Sequence, residues 1–237
     1  MVKTLQNENV FYGKDSLKTL TKIMERESAT NILLISGKKS FKTSGLEAKL
    51  KTLLNNKNLT TVNDFEINPK YEEILLLGDK LKNQEIDLII AAGGGSVIDF
   101  AKCINLYLSS WTSDGSDGII DRELLPNMLF PLVAIPTTAG TGSEATHFAV
   151  VYIKGIKVSV AHESLTPKYA IIDPTLTYGS PPYVSACCAF DALCQAIESF
   201  WSIGATPESQ KYAKEAIILI KNNMVKAINL DCIESRN

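Results

Sequence analysis

The chain has no surplus of charge of either sign: 24 Lys and Arg stand against 26 Asp and Glu, a formal net charge of -2. No global field therefore favours nucleic acid or a membrane surface, and neither is expected as a partner. No apolar run is long enough to span a bilayer, and the N-terminal residues lack the apolar core of a signal peptide. The expected compartment is the cytoplasm. Histidine is scarce, with only His147 and His162 in 237 residues, so a histidine-rich metal site cannot be assembled from this chain alone. Cysteine comes in an odd number, five, which without an export signal predicts reduced thiols. Cys187, Cys188 and Cys194 cluster in a helical pattern with no zinc-knuckle spacing, and core thiols are expected rather than ligands.

What the chain does have is an ordinary globular composition, 45% apolar and 21% charged, and enough length for one large domain or two modest ones. Strand-like and helical patterns alternate at short intervals. Strands are predicted over residues 9–12, 31–36, 60–67 and 88–92, with helices over 16–25, 46–54, 71–81 and 97–108 between or after them. Residues 113–118, rich in Ser, Asp and Gly, read as an exposed loop. A strand at 132–135, a hairpin of 148–153 and 157–161, and a strand at 169–172 follow. From Pro182 the pattern is helical, with one helix to Trp201 and another over 208–228 opened by Thr206-Pro207. The apolar strands are continuous, so the sheet is predicted to be parallel with helices on both faces. The expected fold is an α/β dinucleotide-binding domain over residues 1–177, followed over 178–237 by the start of an all-α domain.

Two segments carry chemistry. The apolar run Leu88 to Ala92 meets Gly93-Gly94-Gly95 and then Ser96, which opens a helix. Such a turn lets an anion approach backbone N–H groups at the positive end of a helix. On these residues alone a phosphate cradle and a plain βα turn fit equally well. A second small-residue loop, Pro136-Thr137-Thr138-Ala139-Gly140-Thr141-Gly142-Ser143-Glu144, also follows a buried strand. Two such loops at the carboxyl ends of strands in one sheet favour a ligand in the crevice there. The first loop lacks the spacing of the ordinary Rossmann fingerprint and does not follow the first strand, and no Gly-Lys-Ser/Thr of a P-loop follows it. Further on, Asp191, Gln195 and Glu198 share one face of an otherwise apolar helix.

These segments, with Asp173-Pro174 and Asp191-Ala192-Leu193-Cys194-Gln195-Ala196-Ile197-Glu198, fall in the order and register of the iron-dependent alcohol dehydrogenase family. The chain resembles that family from Phe11 to beyond Trp201. The resemblance implies an N-terminal dinucleotide-binding α/β domain and a C-terminal helical domain, as in dehydroquinate synthase and glycerol dehydrogenase. A nicotinamide and a divalent metal would lie between them. It further implies that Gly93, Gly94, Gly95 and Ser96 hold the pyrophosphate and that Asp99 supports their turn. Thr137, Thr138 and Thr141 would contact the adenine and phosphate side. Lys157 would lie near the ribose, Leu176 under the nicotinamide, and Asp191 would be the first metal ligand.

Two departures from the family stand out. Gln195 occupies the place of the second ligand, usually His, and a neutral amide is a poorer ligand than imidazole. The later histidines that complete the site in relatives would fall beyond residue 237, so the chain reads as C-terminally truncated, with Fe2+ or Zn2+ expected only in a full-length form. After the strand at 31–36 come Gly37, Lys38, Lys39 and Ser40 rather than an acidic residue, which favours NADP(H) over NAD(H). The expected reaction is reversible hydride transfer between that cofactor and a small aldehyde or primary alcohol. The wording around Asp191 is also similar to a branch that reduces phosphonoacetaldehyde. Two other readings are a non-catalytic remnant that binds a nucleotide, and a glycerol dehydrogenase- or dehydroquinate synthase-like enzyme. Apolar helices without their usual cover favour association, and a homo-oligomer, a dimer, is expected.

Overall fold

A computed structural model of the chain describes residues 3–4, 9–110, 129–229 and 233–236. Its centre is a sheet of seven strands: β1 (Lys3–Thr4), β2 (Val10–Tyr12), β3 (Asn31–Ser36), β4 (Asn58–Val62), β5 (Leu88–Gly93), β6 (Leu132–Pro136) and β9 (Tyr169–Ile172). They lie in the order β1-β2-β9-β6-β5-β3-β4. All neighbours are parallel except β1, which runs antiparallel to β2 at the edge. Parallel neighbours need crossovers, and helices α1 (Thr19–Arg26), α2 (Ser40–Thr43), α3 (Leu46–Leu53), α4 (Tyr71–Leu81) and α5 (Gly95–Ser110) lie along them. A separate hairpin, β7 (Phe148–Ile153) with β8 (Ile156–Ala161), turns at Lys154-Gly155, both at positive φ. Two long helices, α6 (Pro182–Trp201) and α7 (Pro207–Ile228), close the described chain.

The continuous apolar strands divide their side chains between two cores, one on each face. Leu88, Ile90 and Ala92 of β5 pack with α1, α2 and α3 residues such as Leu20, Phe41 and Leu50. Ile89 and Ala91 pack instead with α4, α5 and the hairpin, through Ile74, Phe100 and Val151. This period-two division explains why a strand such as β5 is apolar at every position.

Three sequence expectations move. The strand expected at 60–67 is β4, Asn58–Val62, because its register is set residue for residue by pairing with β3, from Asn31↔Asn58 to Ile35↔Val62. The chain then leaves the sheet edge into a loop carrying Asp64 and Glu66. The helix expected over 16–25 opens as a 3-10 turn, Ser16–Lys18, before α1. The cysteines of α6 are not core thiols: Cys187 and Cys194 are exposed and Cys188 is partly so, while Cys103 is buried. The loop expected at 113–118 and Cys232 lie outside the described residues. The α7 start is as expected, with a capping box between Thr206 and Ser209 and proline at the first helical turn.

Candidate functional site

The first glycine turn joins β5 to α5 at the middle of the sheet. Its glycines answer to space, since Gly93, Gly94 and Gly95 are absent from the residues with positive φ. A Cβ on Gly93 would stand 2.5 Å from a Val97 methyl, and one on Gly95 would stand 2.7 Å from both Thr141 side-chain ends. One on Gly94 would reach Thr138 Oγ1 at 3.2 Å. The second loop therefore leans directly on the first, as residue Thr137 begins it by donating its N–H to Gly93 O at 3.0 Å or less, 2.9 Å. The glycines leave the first amides of a sixteen-residue helix open to an approaching anion.

Two residues of α5 one turn apart build the wall opposite. Asp99 Oδ2 accepts from Val150 N at 3.1 Å, which ties the start of α5 to the hairpin. Burial pushes its carboxyl up, and the Val150 N–H and the Lys102 cation work against that. Lys102 is fully buried and donates from Nζ to Thr146 O at 2.7 Å and Phe148 O at 2.8 Å. Burial lowers its ammonium to about 8, with Asp99 acting in the opposite sense. Glu144, at the end of the second loop, is also raised by burial. Asp99 and Lys102 hold the loop-to-hairpin segment against α5.

A cleft of about 410 Å³ results, and it gathers Gly95, Ser96, Thr141, Lys157, Asp191 and Gln195. Seven expected site residues from four separate segments, Asp99 included, thus line one space. Thr138 lines a neighbouring cavity of about 390 Å³ between α6 and α7. Thr137 is 1% exposed and Leu176 is 1% exposed, the latter inside the core on the α1–α3 face. Gly37 N–H bonds to Ala92 O, which seats the turn after β3 beside the glycine turn. Lys38 pairs with Asp64 at 2.8 Å in solvent, and that carboxylate raises its ammonium. Lys39 and Ser40 are at the start of α2. Asn68 was not foreseen: it sits at φ 65, lines the cleft and donates its N–H to Ser96 Oγ at 3.4 Å. The Asn68-Pro69 pair after a strand is a turn signal that could have found it.

Asp191 and Gln195 lie one turn apart on exposed α6, and Gln195 Nε2 donates to Gly140 O at 3.4 Å. Among the described residues no three His, Cys, Asp or Glu side chains come together as a metal site. One carboxylate and an amide turned toward a carbonyl do not make a divalent-metal site. The donors of this chain by themselves do not fit that ion.

The sequence profile described as iron-containing alcohol dehydrogenase matches residues 7–174. The chain belongs to the iron-containing alcohol dehydrogenase family. It is 41% identical over 151 residues to a probable alcohol dehydrogenase, EutG, of Escherichia coli strain K12, which covers 63% of this chain and 38% of that relative. An iron-containing alcohol dehydrogenase from Thermotoga maritima superposes with a TM-score of 0.88 at 30% identity, covering 100% of this chain and 65% of that one. A sulfoacetaldehyde reductase from Bifidobacterium kashiwanohense, solved in complex with NAD+, does so with a TM-score of 0.83 at 27% identity, over 100% of this chain and 63% of that one. The chain thus spans about two fifths of EutG and less than two thirds of either structure. The α/β sheet with its following helices is the N-terminal architecture of this enzyme family. No helix among the described residues is long and apolar enough to cross a membrane.

Proposed function

We propose that this chain is the nucleotide-holding part of an oxidoreductase that acts with a nicotinamide dinucleotide on a small aldehyde or primary alcohol. The observation that carries the reading is the convergence of both glycine-rich loops, Lys157 and the polar face of α6 on one cleft. Three successive residues without side chains keep the backbone at the start of α5 open to a pyrophosphate. In this reading the backbone amides of Gly94, Gly95 and Ser96 bind the phosphates, and Thr138 and Thr141 add hydroxyls. Lys157 supplies a cation toward the ribose. The bound nicotinamide supplies or accepts the hydride, and the protein positions it and excludes water. We divide the chain at residue 177, with 178–237 as the first helices of a second, helical domain. A Fe2+ or Zn2+ ion would need donors besides Asp191.

The turn Gly37, Lys38, Lys39, Ser40 supports NADP(H) over NAD(H), since it carries cations and a hydroxyl and no carboxylate of its own. The Lys38–Asp64 pair is a solvent-exposed one of small worth, which a 2′-phosphate could replace. For the substrate, the sulfoacetaldehyde reductase neighbour supports a short aldehyde bearing an anion, and phosphonoacetaldehyde is of that class. The cytoplasm is the compartment we assign. A second reading, nucleotide binding without turnover, is favoured by the incomplete donor set around Asp191.

Titration with NADPH and NADH, followed by nicotinamide fluorescence, tests the reading. Binding of NADPH at least about tenfold tighter, some 1.4 kcal/mol, is expected. Equal affinities would overturn the NADP(H) preference, and no binding of either would overturn the site. Oxidation of NADPH with phosphonoacetaldehyde and sulfoacetaldehyde then separates the oxidoreductase from the silent nucleotide binder.

A further inference from the structure

Lys102 is a buried cation whose bonds all go to neutral oxygens. It is 0% exposed. Its Nζ donates to Thr146 O at 2.7 Å and Phe148 O at 2.8 Å, with Thr146 Oγ1 farther off at 3.4 Å. A buried ammonium is usually paired with an opposite charge, because losing its hydration is costly. Here the carboxylates of Asp99 and Glu144 act on it by charge alone.

That cation stands directly behind the cleft wall. Thr146, Phe148, Val150 and Tyr152 alternate along the chain and all line the cleft, whereas Ala149 and Val151 between them are buried in the core. Lys157 is opposite Tyr152 in the β7–β8 register and shares its face. A two-stranded hairpin is marginal by itself, so its place depends on what holds it. Asp99 holds Val150 N, Pro69 O accepts from Tyr152 N at 2.7 Å, and Lys102 holds the two carbonyls where β7 begins. Lys102 also belongs to the helix whose first turn meets the cleft through Gly95 and Ser96. About 10 Å of helix axis separates Gly95 from Lys102, and long helical side chains lean back toward the N-terminus.

We propose that Lys102 is a positioning residue of the cleft that seats the Thr146–Phe148 wall and takes up a proton when an anionic ligand binds at the start of α5. The proposal rests on the dinucleotide reading above. An ammonium has three N–H donors and the neutral amine keeps two, one for each carbonyl. The wall thus stays seated in either state, and only the charge behind it changes. Burial lowers the ammonium to about 8, so both states are populated in mild alkali. An anion in the cleft favours the charged state, so affinity falls as pH rises through that range. The charged and titratable neighbours are Asp99 and Cys103 on α5 and Glu144 on the second loop. His147 lies between the two acceptor residues, Lys157 acts on Asp99, and Lys168 shares a cavity of about 190 Å³ with Lys102. Carboxylates take up protons in acid and exposed lysines titrate at about 10, which leaves the window near 8 to Lys102 among these neighbours.

Calorimetric titration of the chain with NADPH at pH 8.5, in two buffers of different ionisation enthalpy, counts the protons taken up. Uptake of a fraction of a proton is expected, with binding about three- to tenfold weaker at pH 9.5 than at pH 7.5. Lys102→Arg keeps a charge and donors for both carbonyls but does not titrate in this range. It should bind NADPH with that uptake and that pH dependence gone. A lysine of structural importance alone would alter stability on substitution and leave the proton count as it was. Unchanged uptake in Lys102→Arg, or binding to the unaltered chain without uptake, would overturn the role. If Lys102→Arg does not fold, lysine-selective NMR of the unaltered chain decides. One lysine should titrate near 8 and move upward when NADPH is added. All lysines titrating at about 10, or no movement on binding, would overturn it equally. No NADPH binding at any pH would overturn the dinucleotide reading and the coupling with it, whereas binding without uptake removes the coupling alone.

Discussion

At Gly95 the missing side chain has a measurable meaning. Its Cβ would lie 2.7 Å from Thr141, against 3.2 Å for the corresponding contact of Gly94 with Thr138. Gly95→Ala must therefore push the two loops apart where a phosphate would sit. We expect it to weaken NADPH binding about tenfold or more, with Gly94→Ala the milder change, both read by fluorescence titration. Equal effects would show that loop contact is not what the glycines protect. Away from the cleft, Glu27 accepts from the Tyr169 hydroxyl and from Lys168 Nζ at 2.9 Å. Burial by itself would raise its carboxyl, but those hydrogen bonds and the Lys168 charge outweigh burial and lower it. A carboxyl lowered by folding adds stability that is present above its unfolded range and is lost as pH falls through its folded one. Glu27→Gln should thus melt about 2–4 °C lower at pH 7, and the difference should close on acidification. A difference that stays constant down to pH 3, in a series of melting curves, would remove the ion from the explanation.

At the scale of elements, the decisive relation is between the second glycine-rich loop and α6. Gly140 has no room for a side chain: a Cβ would meet the backbone Cα and O of Cys188 at 3.0 Å. Backbone cannot rotate away as a side-chain end can, so Gly140→Ala must lift α6 off the loop. It also disturbs the Gln195 amide bond to Gly140 O. The expected cost is about 1–3 kcal/mol in urea unfolding, together with weaker cofactor binding. Full retention of both would mean that α6 is not seated by this contact. The same relation explains how much of the site was legible beforehand. Glycine runs after apolar strands marked both loops, and helical spacing marked Asp191 and Gln195. That Thr137 and Leu176 are buried was not legible, because whether a residue just past a strand faces the cleft or the core depends on register and pleat, which no local pattern fixes.

For the whole molecule, the sheet has its faces covered and the helical part does not. Tyr183 is 80% exposed, Trp201 73%, and Ile203 fully so, along α6 and the turn after it. Apolar surface of that extent predicts self-association of the chain, which supports the homodimer we expect. Sedimentation velocity should show oligomers at micromolar concentration, and Trp201→Ser with Ile203→Ser should shift them toward monomer. A monomer in both cases would rule that face out as the contact. The amino-acid sequence by itself determined the alternation of strand and helix, the two phosphate-sized turns and the helix starts, because hydrophobic period, glycine and capping residues act over a few neighbours. Only the tertiary structure decided which of those residues meet. The order of strands brought the two glycine-rich loops into contact, turned Asp99 to the hairpin, and buried Thr137, since pairing across a sheet is a property of position in space.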